Sequence, residues 1–433
     1  MNALRDVRNL WMPLLTTVAL VCFGDAAAHV RYIVTDLGSE GNDDLGCAMA
    51  LNDQGWTEIM AGVLDPTQVD FSGAPILSGR ALIDVDGFKT DLGTLGGPNS
   101  WMMWGEINDS GQAVGDSETA APDPNGEDIC LFGTHRTCRP FLWQPSNISA
   151  RPVHGRMSAL PTLGGNNGQA SAINNLGQVV GFAEDGTVDS TCLPNTTNDM
   201  TDLPVLWENG KAHALPRVDK NPDGVAFWIN DQGEAVGYSG TCVSALHAAS
   251  WKNNTVSVLP DLGHGGIAYS IDNRGQIAGA VGSADGSTQS GAIWRHGRLT
   301  SLQLLPGDFG GIATGINDKN QVVGSNYDSN GNWSHAFIWQ DNQVIDLNRQ
   351  FPANSNLFAV MANKINDRGQ ISGLAIVRSG PDKGNIHAFL ATPVGETADE
   401  SVADVAPTRP KSNSSAISAK HVLRRFGLGR FAR

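Results

Sequence analysis

The sequence has none of the compact motifs that assign a chemistry to a chain. It contains no CxxC or HxxxH pair, which argues against a metal centre built at one place in the chain. Its Gly-rich runs do not continue into a Lys and a helix, so they do not form a phosphate-binding loop. No Ser, His and Asp, and no pair of carboxylates, are fixed by spacing. The sequence therefore predicts no catalytic residue, no metal and no cofactor.

Long apolar segments are also missing after the first residues. One such segment extends from Leu10 to Phe23, follows Arg5 and Arg8, and precedes three Ala residues at 26–28. This order is typical of a secretory signal peptide with a small-residue cleavage site. We therefore predict a signal peptide at 1–28 and a secreted or periplasmic protein.

One short phrase returns seven times along the chain. The copies are LNDQGW at 51–56, INDSGQAVG at 107–115, INNLGQVVG at 173–181, INDQGEAVG at 229–237, IDNRGQIAG at 271–279, INDKNQVVG at 316–324 and INDRGQISG at 365–373. Asp or Asn followed by Gly is typical of a tight turn, because Asx side chains cap the turn and Gly takes a positive φ without steric cost. In the sixth copy Asn320 replaces the Gly. Each copy predicts a strand, a turn and a second strand.

Two more strands follow each hairpin. The third is apolar and ends in Trp in five copies, and the fourth ends in Leu. The first Asn or Asp of the copies stands at 52, 108, 174, 230, 272, 317 and 366, so the repeats are 42 to 66 residues apart. Units of four antiparallel strands at such spacing are typical of β-propeller blades. We therefore predict an all-β fold, namely a seven-bladed β-propeller of four-stranded blades at 29–393. In this propeller the recurring Trp residues would pack between blades. A linear β-solenoid is the alternative.

The seventh unit lacks a fourth strand after its HAFL segment at 387–390. Residues 31–38 end in Thr-Asp-Leu-Gly, as the fourth strand of the first unit does at 90–93. We therefore predict that 31–37 pairs antiparallel with 387–390 and closes the ring.

The repeated elements resemble the HAF repeat family of extracellular repeat proteins. The His-Ala-Phe triplet occurs at 335–337 and 387–389, and the Asn-xx-Gly-Gln-Val-Val-Gly and Leu-Gly-Gly elements recur with it over about 30–392. The resemblance implies export and a repeat fold, and it supplies no catalytic residues.

Four cysteines occur at positions that suggest two disulfides. Cys130 and Cys138 enclose a short loop, while Cys192 and Cys242 follow the second strand in neighbouring units. An oxidising compartment permits disulfides. We predict a bond between Cys192 and Cys242 across neighbouring blades and a local pair of Cys130 with Cys138; Cys47 is left over.

Basic residues are scarce except at the end of the chain. The net charge is −15, yet 409–433 has seven basic and no acidic residues. The acidic body argues against nucleic acid, and against an anionic polymer as ligand of the propeller itself. We predict that 394–433 is a disordered basic tail. The alternative is a short helix in this tail that contacts a membrane surface or an anionic polymer.

The two faces of a propeller differ in their loops. Links between strands two and three, and links between blades, emerge on one face, which we name the insertion face; the opposite turn face carries the tight turns. The insertion face has long loops at 116–138 and 182–202, and binding residues concentrate on such loops. The candidate ligand-binding residues on this face or just inside the channel are Trp101, Trp104, Trp228, His264, Tyr269 and Asp308.

Two functions remain open at this point. One is a binding or scaffold module for an extracellular carbohydrate or protein, with aromatic side chains that either stack on sugars or pack around the channel. The other is a polysaccharide hydrolase or lyase, in which carboxylates and His264 would converge on the insertion face. Asp123, Asn125, Glu127 and Asp128 could hold Ca²⁺, although such loops are usually only solvated.

Overall fold

The computed structural model describes residues 31–39, 46–69, 75–102, 105–192, 199–242 and 244–394. The predicted signal peptide at 1–28, Trp104 and the tail from 395 onward lie outside these residues. No helix within the described ranges is long and apolar enough to cross a membrane.

Seven antiparallel sheets of four strands form the propeller, with one short 3-10 helix (Leu347–Gln350) after the sixth. The first strand along the chain is β1 (Arg31–Gly38). Blade 1 consists of β2 (Gly46–Cys47), β3 (Thr57–Val69), β4 (Pro75–Val85) and β5 (Phe88–Asp91). Blade 2 consists of β6 (Gly96–Trp101), β7 (Ala113–Pro122), β8 (Arg136–Pro145) and β9 (Gly155–Ala159). Blade 3 consists of β10 (Gly168–Ile173), β11 (Val179–Val188), β12 (Met200–Glu208) and β13 (Lys211–Ala214). Blades 4 and 5 consist of β14 (Asp223–Ile229), β15 (Ala235–Thr241), β16 (Ser244–Lys252) and β17 (Thr255–Val258); and β18 (Gly266–Ile271), β19 (Ile277–Gly282), β20 (Gln289–Arg295) and β21 (Arg298–Ser301). Blade 6 consists of β22 (Gly310–Ile316), β23 (Val322–Tyr327), β24 (Trp333–Gln340) and β25 (Gln343–Asp346), and blade 7 has β26 (Leu357–Ile365), β27 (Ile371–Val377) and β28 (Ile386–Val394).

The ring closes through the N-terminal strand. Strand β1 pairs antiparallel with β28, from Arg31 opposite Val394 to Gly38 opposite Ala388. Blade 7 therefore has four strands, three from the end of the propeller and one from its beginning. The predicted seven-bladed propeller is confirmed, and the linear β-solenoid is wrong.

The repeated phrase forms the predicted hairpins. The residue at the tip has a positive φ in all seven copies, including Gly177 at 80° and Asn320 at 67°. The first Asn or Asp of each phrase caps its own turn: the Asn174 side-chain oxygen accepts the N–H groups of Leu176 and Gln178 at 3.1 and 2.9 Å. These bonds span two and four residues, so the local sequence suffices to form them.

The same Asn residues also join neighbouring blades. The Nδ2 atom of each donates to the backbone carbonyl of the equivalent residue in the next blade, at 2.9 to 3.1 Å. Six of the seven copies make this bond, and the bond from Asn366 to Asn52 joins blade 7 to blade 1. Blade 5 has Asp272 at this position, and a carboxylate has no N–H to donate.

The recurring Trp residues pack between blades, as predicted. Trp143, Trp207, Trp251, Trp294 and Trp339 are each at most 5 % exposed. The indole N–H of Trp207 donates to the Pro161 carbonyl in the link that leads into its blade, and Trp251 and Trp294 repeat this bond at the next two interfaces. In Trp207, Trp251 and Trp294, both the ring and the N–H are therefore used by the fold.

Candidate functional site

The insertion face holds a group of buried carboxylates between blades 2 and 3. Asn167, in the link between these blades, donates through Nδ2 to Asp123 at 2.9 Å and to Glu184 at 2.7 Å, with Glu127 at 3.4 Å. The Asn167 side-chain oxygen accepts the Cys138 N–H at 2.9 Å. One amide therefore holds together two insertion loops and the link between two blades.

Burial changes the acidity of this group. Loss of solvation raises the pKa of Asp116 to about 7, against hydrogen bonds from Gln169 and Trp101 that lower it. Loss of solvation also raises the pKa of Glu127 to about 7, and the charge of Glu184 adds to the rise. The pKa of Asp202 is raised by burial and by the neighbouring carboxylates. Asp116 and Glu127 therefore keep their protons to a higher pH than separate carboxylates would.

Both predicted disulfides are present, and both brace this face. Cys130 and Cys138 close the long loop of blade 2. Cys192 and Cys242 join the loops of blades 3 and 4. The Cys242 N–H donates to Asp189 at 3.2 Å, so the second disulfide lies beside a buried carboxylate.

Two sets of possible metal ligands include these cysteines. They are Asp116 with Cys130 and Cys138, and Asp189 with Cys192 and Cys242. A disulfide-bonded Cys is not a thiolate ligand, so neither set has metal-binding chemistry while its bond is intact.

The residues of the calcium alternative mainly serve their own turn. Asp123 Oδ1 accepts the N–H groups of Asn125 and Glu127 at 2.8 and 3.0 Å, and Glu127 accepts the Met200 N–H. Ca²⁺ binding there stays a hypothesis.

The other candidate residues do not meet at one place. Trp101 is 1 % exposed, donates its indole N–H to Asp116 and packs on Phe132. Tyr269 is 2 % exposed and packs on Phe227. Asp308 accepts from Ser334 at 2.6 Å and lies 3.0 Å from Nδ1 of His335.

His264 lies in the link into blade 5 and is exposed. The imidazole of His264 lies so close to Gly286 of the same blade that a Cβ at position 286 would come within 2.9 Å of the imidazole. The enzyme alternative requires carboxylates and His264 to converge; the carboxylates converge on blades 2 and 3, whereas His264 is in blade 5.

Trp228 belongs to a charged cluster on the propeller axis that sequence reasoning missed. The Lys364 ammonium lies 3.6 Å from the centroid of the Trp228 ring and 3.5 Å from Glu106 Oε2. Burial lowers the pKa of Lys364 and raises the pKa of Glu106, and the ion pair opposes both shifts. Lys364 of blade 7 and Trp228 of blade 4 thus form a cation–π contact across the axis of the propeller.

One signal in the sequence marks this cluster. Glu106, Trp228 and Lys364 all stand immediately before the first apolar residue of the repeated phrase. The same position is small in the other four copies: Ala50, Ala172, Ser270 and Gly315. Seven equivalent side chains around one axis have room for only a few large ones, so the contrast in size indicates an axial position.

Beyond the cluster, the turn face has a small acidic mouth of about 130 Å³. The third residue of each phrase accepts the N–H of its counterpart in the preceding blade, and five of these seven residues are Asp: Asp53, Asp109, Asp231, Asp318 and Asp367. Burial raises the pKa of Asp53 and of Asp367. These carboxylates have a defined role as acceptors between blades.

The fold and both faces thus define a seven-bladed β-propeller with disulfide-braced insertion loops. No protein-family model and no curated protein matches the chain.

Several solved structures are similar to it. An acylaminoacyl peptidase of Pyrococcus horikoshii matches with 12 % identity and a TM-score of 0.46. The match covers 82 % of this chain and 54 % of the peptidase, so the chain spans about half the length of that protein. A gluconolactonase of Xanthomonas campestris matches with 10 % identity and a TM-score of 0.36, over 85 % of this chain and 93 % of that one. An ulvan lyase matches with 10 % identity and a TM-score of 0.38, over 84 % of this chain and 94 % of that one. These likenesses are too weak to carry an activity over to this chain.

Proposed function

We propose that the protein is an exported binding module that docks a protein partner through its insertion face. The observation that carries the proposal is a set of exposed apolar side chains on this face. They are Val188, Leu246, Leu262 and Phe309, and each is 40 to 51 % exposed. Exposed apolar side chains beside polar ones are typical of protein interaction surfaces.

The face is held rigid before any partner arrives. The two disulfides and the Asn167 hydrogen bonds fix the loops of blades 2, 3 and 4. A rigid surface loses little conformational entropy on binding, which favours recognition. Two disulfides also support export to an oxidising compartment.

The charge of the face selects the chemistry of the partner. The loops at 116–138 and 182–202 contain ten carboxylates and one Arg; six of the carboxylates are buried, and the half-buried Asp128, Asp185 and Asp199 leave the face acidic. A partner that offers basic side chains around an apolar centre matches this surface, whereas an anionic polymer is repelled.

The test is cross-linking at the surface of the producing cells, followed by quantitative mass spectrometry. The variant Leu262→Ser with Phe309→Ser should lose the specific partner at least about tenfold. Leu176→Ser is the matched control, because Leu176 is 70 % exposed in a turn on the opposite face. Equal recovery with all three proteins, or loss with Leu176→Ser alone, would contradict the proposal.

A hydrolase or lyase acting on extracellular polysaccharide is the second candidate, and it is favoured by the pKa of about 7 at Asp116 and Glu127. A carboxyl group with such a pKa is suited to general acid catalysis. Against it, these side chains are 0 and 8 % exposed. Release of reducing ends or unsaturated products from a polysaccharide panel, abolished by Asp116→Asn and Glu127→Gln, would establish it in place of the binding module.

A further inference from the structure

A cleft of about 390 Å³ opens on the turn face between blades 4 and 5. Its floor is apolar and consists of Leu259, Ile277 and Trp294. Its rim is polar and charged, with side chains from the turns and outer strands of both blades. An apolar floor with a few polar groups, at this volume, is typical of small-molecule sites.

The next interface shows why the cleft is open. Between blades 5 and 6, the guanidinium of Arg295 lies 4.7 Å from the centroid of the Trp339 ring. Lys252 is the equivalent of Arg295, because each directly follows the Trp of its third strand. The Lys252 ammonium instead lies 2.8 Å from Glu234 of its own blade. It therefore leaves the place beside Trp294 unfilled.

Glu234 is the residue that holds Lys252 back. Its second oxygen accepts from Ser250 at 2.8 Å, so the carboxylate is fixed by two partners. The other copies with the full phrase have Gln at this position: Gln112, Gln178, Gln276, Gln321 and Gln370. A neutral Gln could not form this ion pair, so the opening follows from one acidic residue.

Basic side chains outnumber acidic ones around the cleft. Lys252, Arg274 and His296 line the cleft with a single carboxylate, that of Glu234, which is already paired; outside the lining, the charge of Arg274 also acts on Asp272. Arg274 and His296 are exposed, and neither side chain forms a hydrogen bond within the described part of the chain. In a protein of net charge −15, this convergence marks a place suited to an anion.

We propose that the cleft binds a small sugar acid. A guanidinium can grip a carboxylate through two parallel hydrogen bonds, which assigns the acid group to Arg274. The side chains of Gln232, Ser257 and Asn273 line the same cleft and can donate to and accept from hydroxyl groups. The site is on the face opposite to the proposed protein-binding surface, so the two proposals stand or fall separately.

Titration calorimetry with D-galacturonate, and with D-galactose as the neutral match, tests the site. Galacturonate should bind with a dissociation constant in the millimolar range, and galactose at least about tenfold more weakly. Arg274→Gln should weaken galacturonate binding by about tenfold or more. Lys319→Gln is the matched control, since Lys319 occupies the same turn position in blade 6, and it should leave binding unchanged.

A second variant tests the cause of the opening. The variant Glu234→Gln with Lys252→Arg copies the arrangement of blade 5, where Gln276 and Arg295 occupy these positions, and should place a guanidinium over Trp294, which abolishes binding. Equal affinity for both sugars, no binding of galacturonate at about 50 mM, or full binding by Arg274→Gln would each overturn the proposal.

Discussion

Replacing Asp272 by Asn should stabilise the protein by completing the hydrogen-bonded ring between blades. Asp272 is 4 % exposed, and its Oδ1 caps its turn by accepting the N–H groups of Arg274 and Gln276. An Asn keeps this acceptor and adds a donor. Its Nδ2 would reach the Asn317 carbonyl, as the six equivalent Asn residues reach the next blade at 2.9 to 3.1 Å.

The gain can be worked from these contacts. One new hydrogen bond contributes about 0.5 to 1.5 kcal/mol. The Gln276 amide, which now donates to Asp272 at 3.1 Å, has to rotate and accept instead, as Gln112 and Gln178 do. For a domain of this size we expect the melting temperature to rise by about 1 to 2 °C per kcal/mol.

The gain should depend on pH. Burial raises the pKa of Asp272 in the folded protein, so the folded state binds more protons than the unfolded state above the unfolded pKa. The charge of Asp272 therefore destabilises the fold progressively as the pH rises through the folded pKa. The benefit of Asp272→Asn should be larger at pH 8 than at pH 4, because pH 4 lies close to the unfolded pKa and the penalty of the charge has hardly developed there.

Urea titration and calorimetry at pH 4 and pH 8 would measure both effects. Asn174→Asp is the matched reverse change, because it gives blade 3 the arrangement of blade 5, and it should lower stability by a similar amount. A melting temperature that falls with Asp272→Asn, or a gain that is equal at both pH values, would refute this reasoning.

Three further outcomes are expected. Deleting 31–37 should lower the melting temperature by about 10 °C or more, because it removes the strand that pairs with β28. Deleting 409–433 should change the melting temperature by less than about 2 °C, and equal effects of the two deletions in calorimetry would contradict the role of β1 in closing the ring. Cys242→Ala should destabilise by about 2 to 4 kcal/mol in urea titration, and non-reducing peptide maps should show Cys192 as a free thiol. Asp116→Asn should flatten the fall in stability between pH 4 and pH 7, since burial raises the pKa of this acid to about 7; an unchanged pH profile would show that the group does not titrate there.

Ring closure and the number of blades could be predicted from the sequence because they depend on local patterns and on counting. A hairpin needs only the Asx cap and a tip residue with positive φ, such as Gly177 or Asn320, within five residues. Seven such hairpins with one fourth strand missing at the end fix where 31–38 must pair. The position of each Cys relative to the second strand likewise predicted the bond between Cys192 and Cys242.

The candidate sites were less predictable because their members come from different blades. Asn167 meets Asp123 and Glu184 only when the link and two loops converge, at separations of 44 and 17 residues along the chain. The cleft depends on whether Lys252 turns toward Glu234 or toward Trp294, and the exceptional Glu234 is recognisable as the partner of Lys252 only once β15 and β16 are paired.

The sequence by itself thus determined the blade, the ring and its seam, since these rest on contacts within a few residues and on a repeated period. The tertiary structure alone decided what the repeated Asn does beyond its turn, and which three side chains meet on the axis. The physical reason is symmetry: closing the ring places equivalent positions from all seven blades around one axis. There Glu106, Trp228 and Lys364 interact although more than one hundred residues separate each from the next.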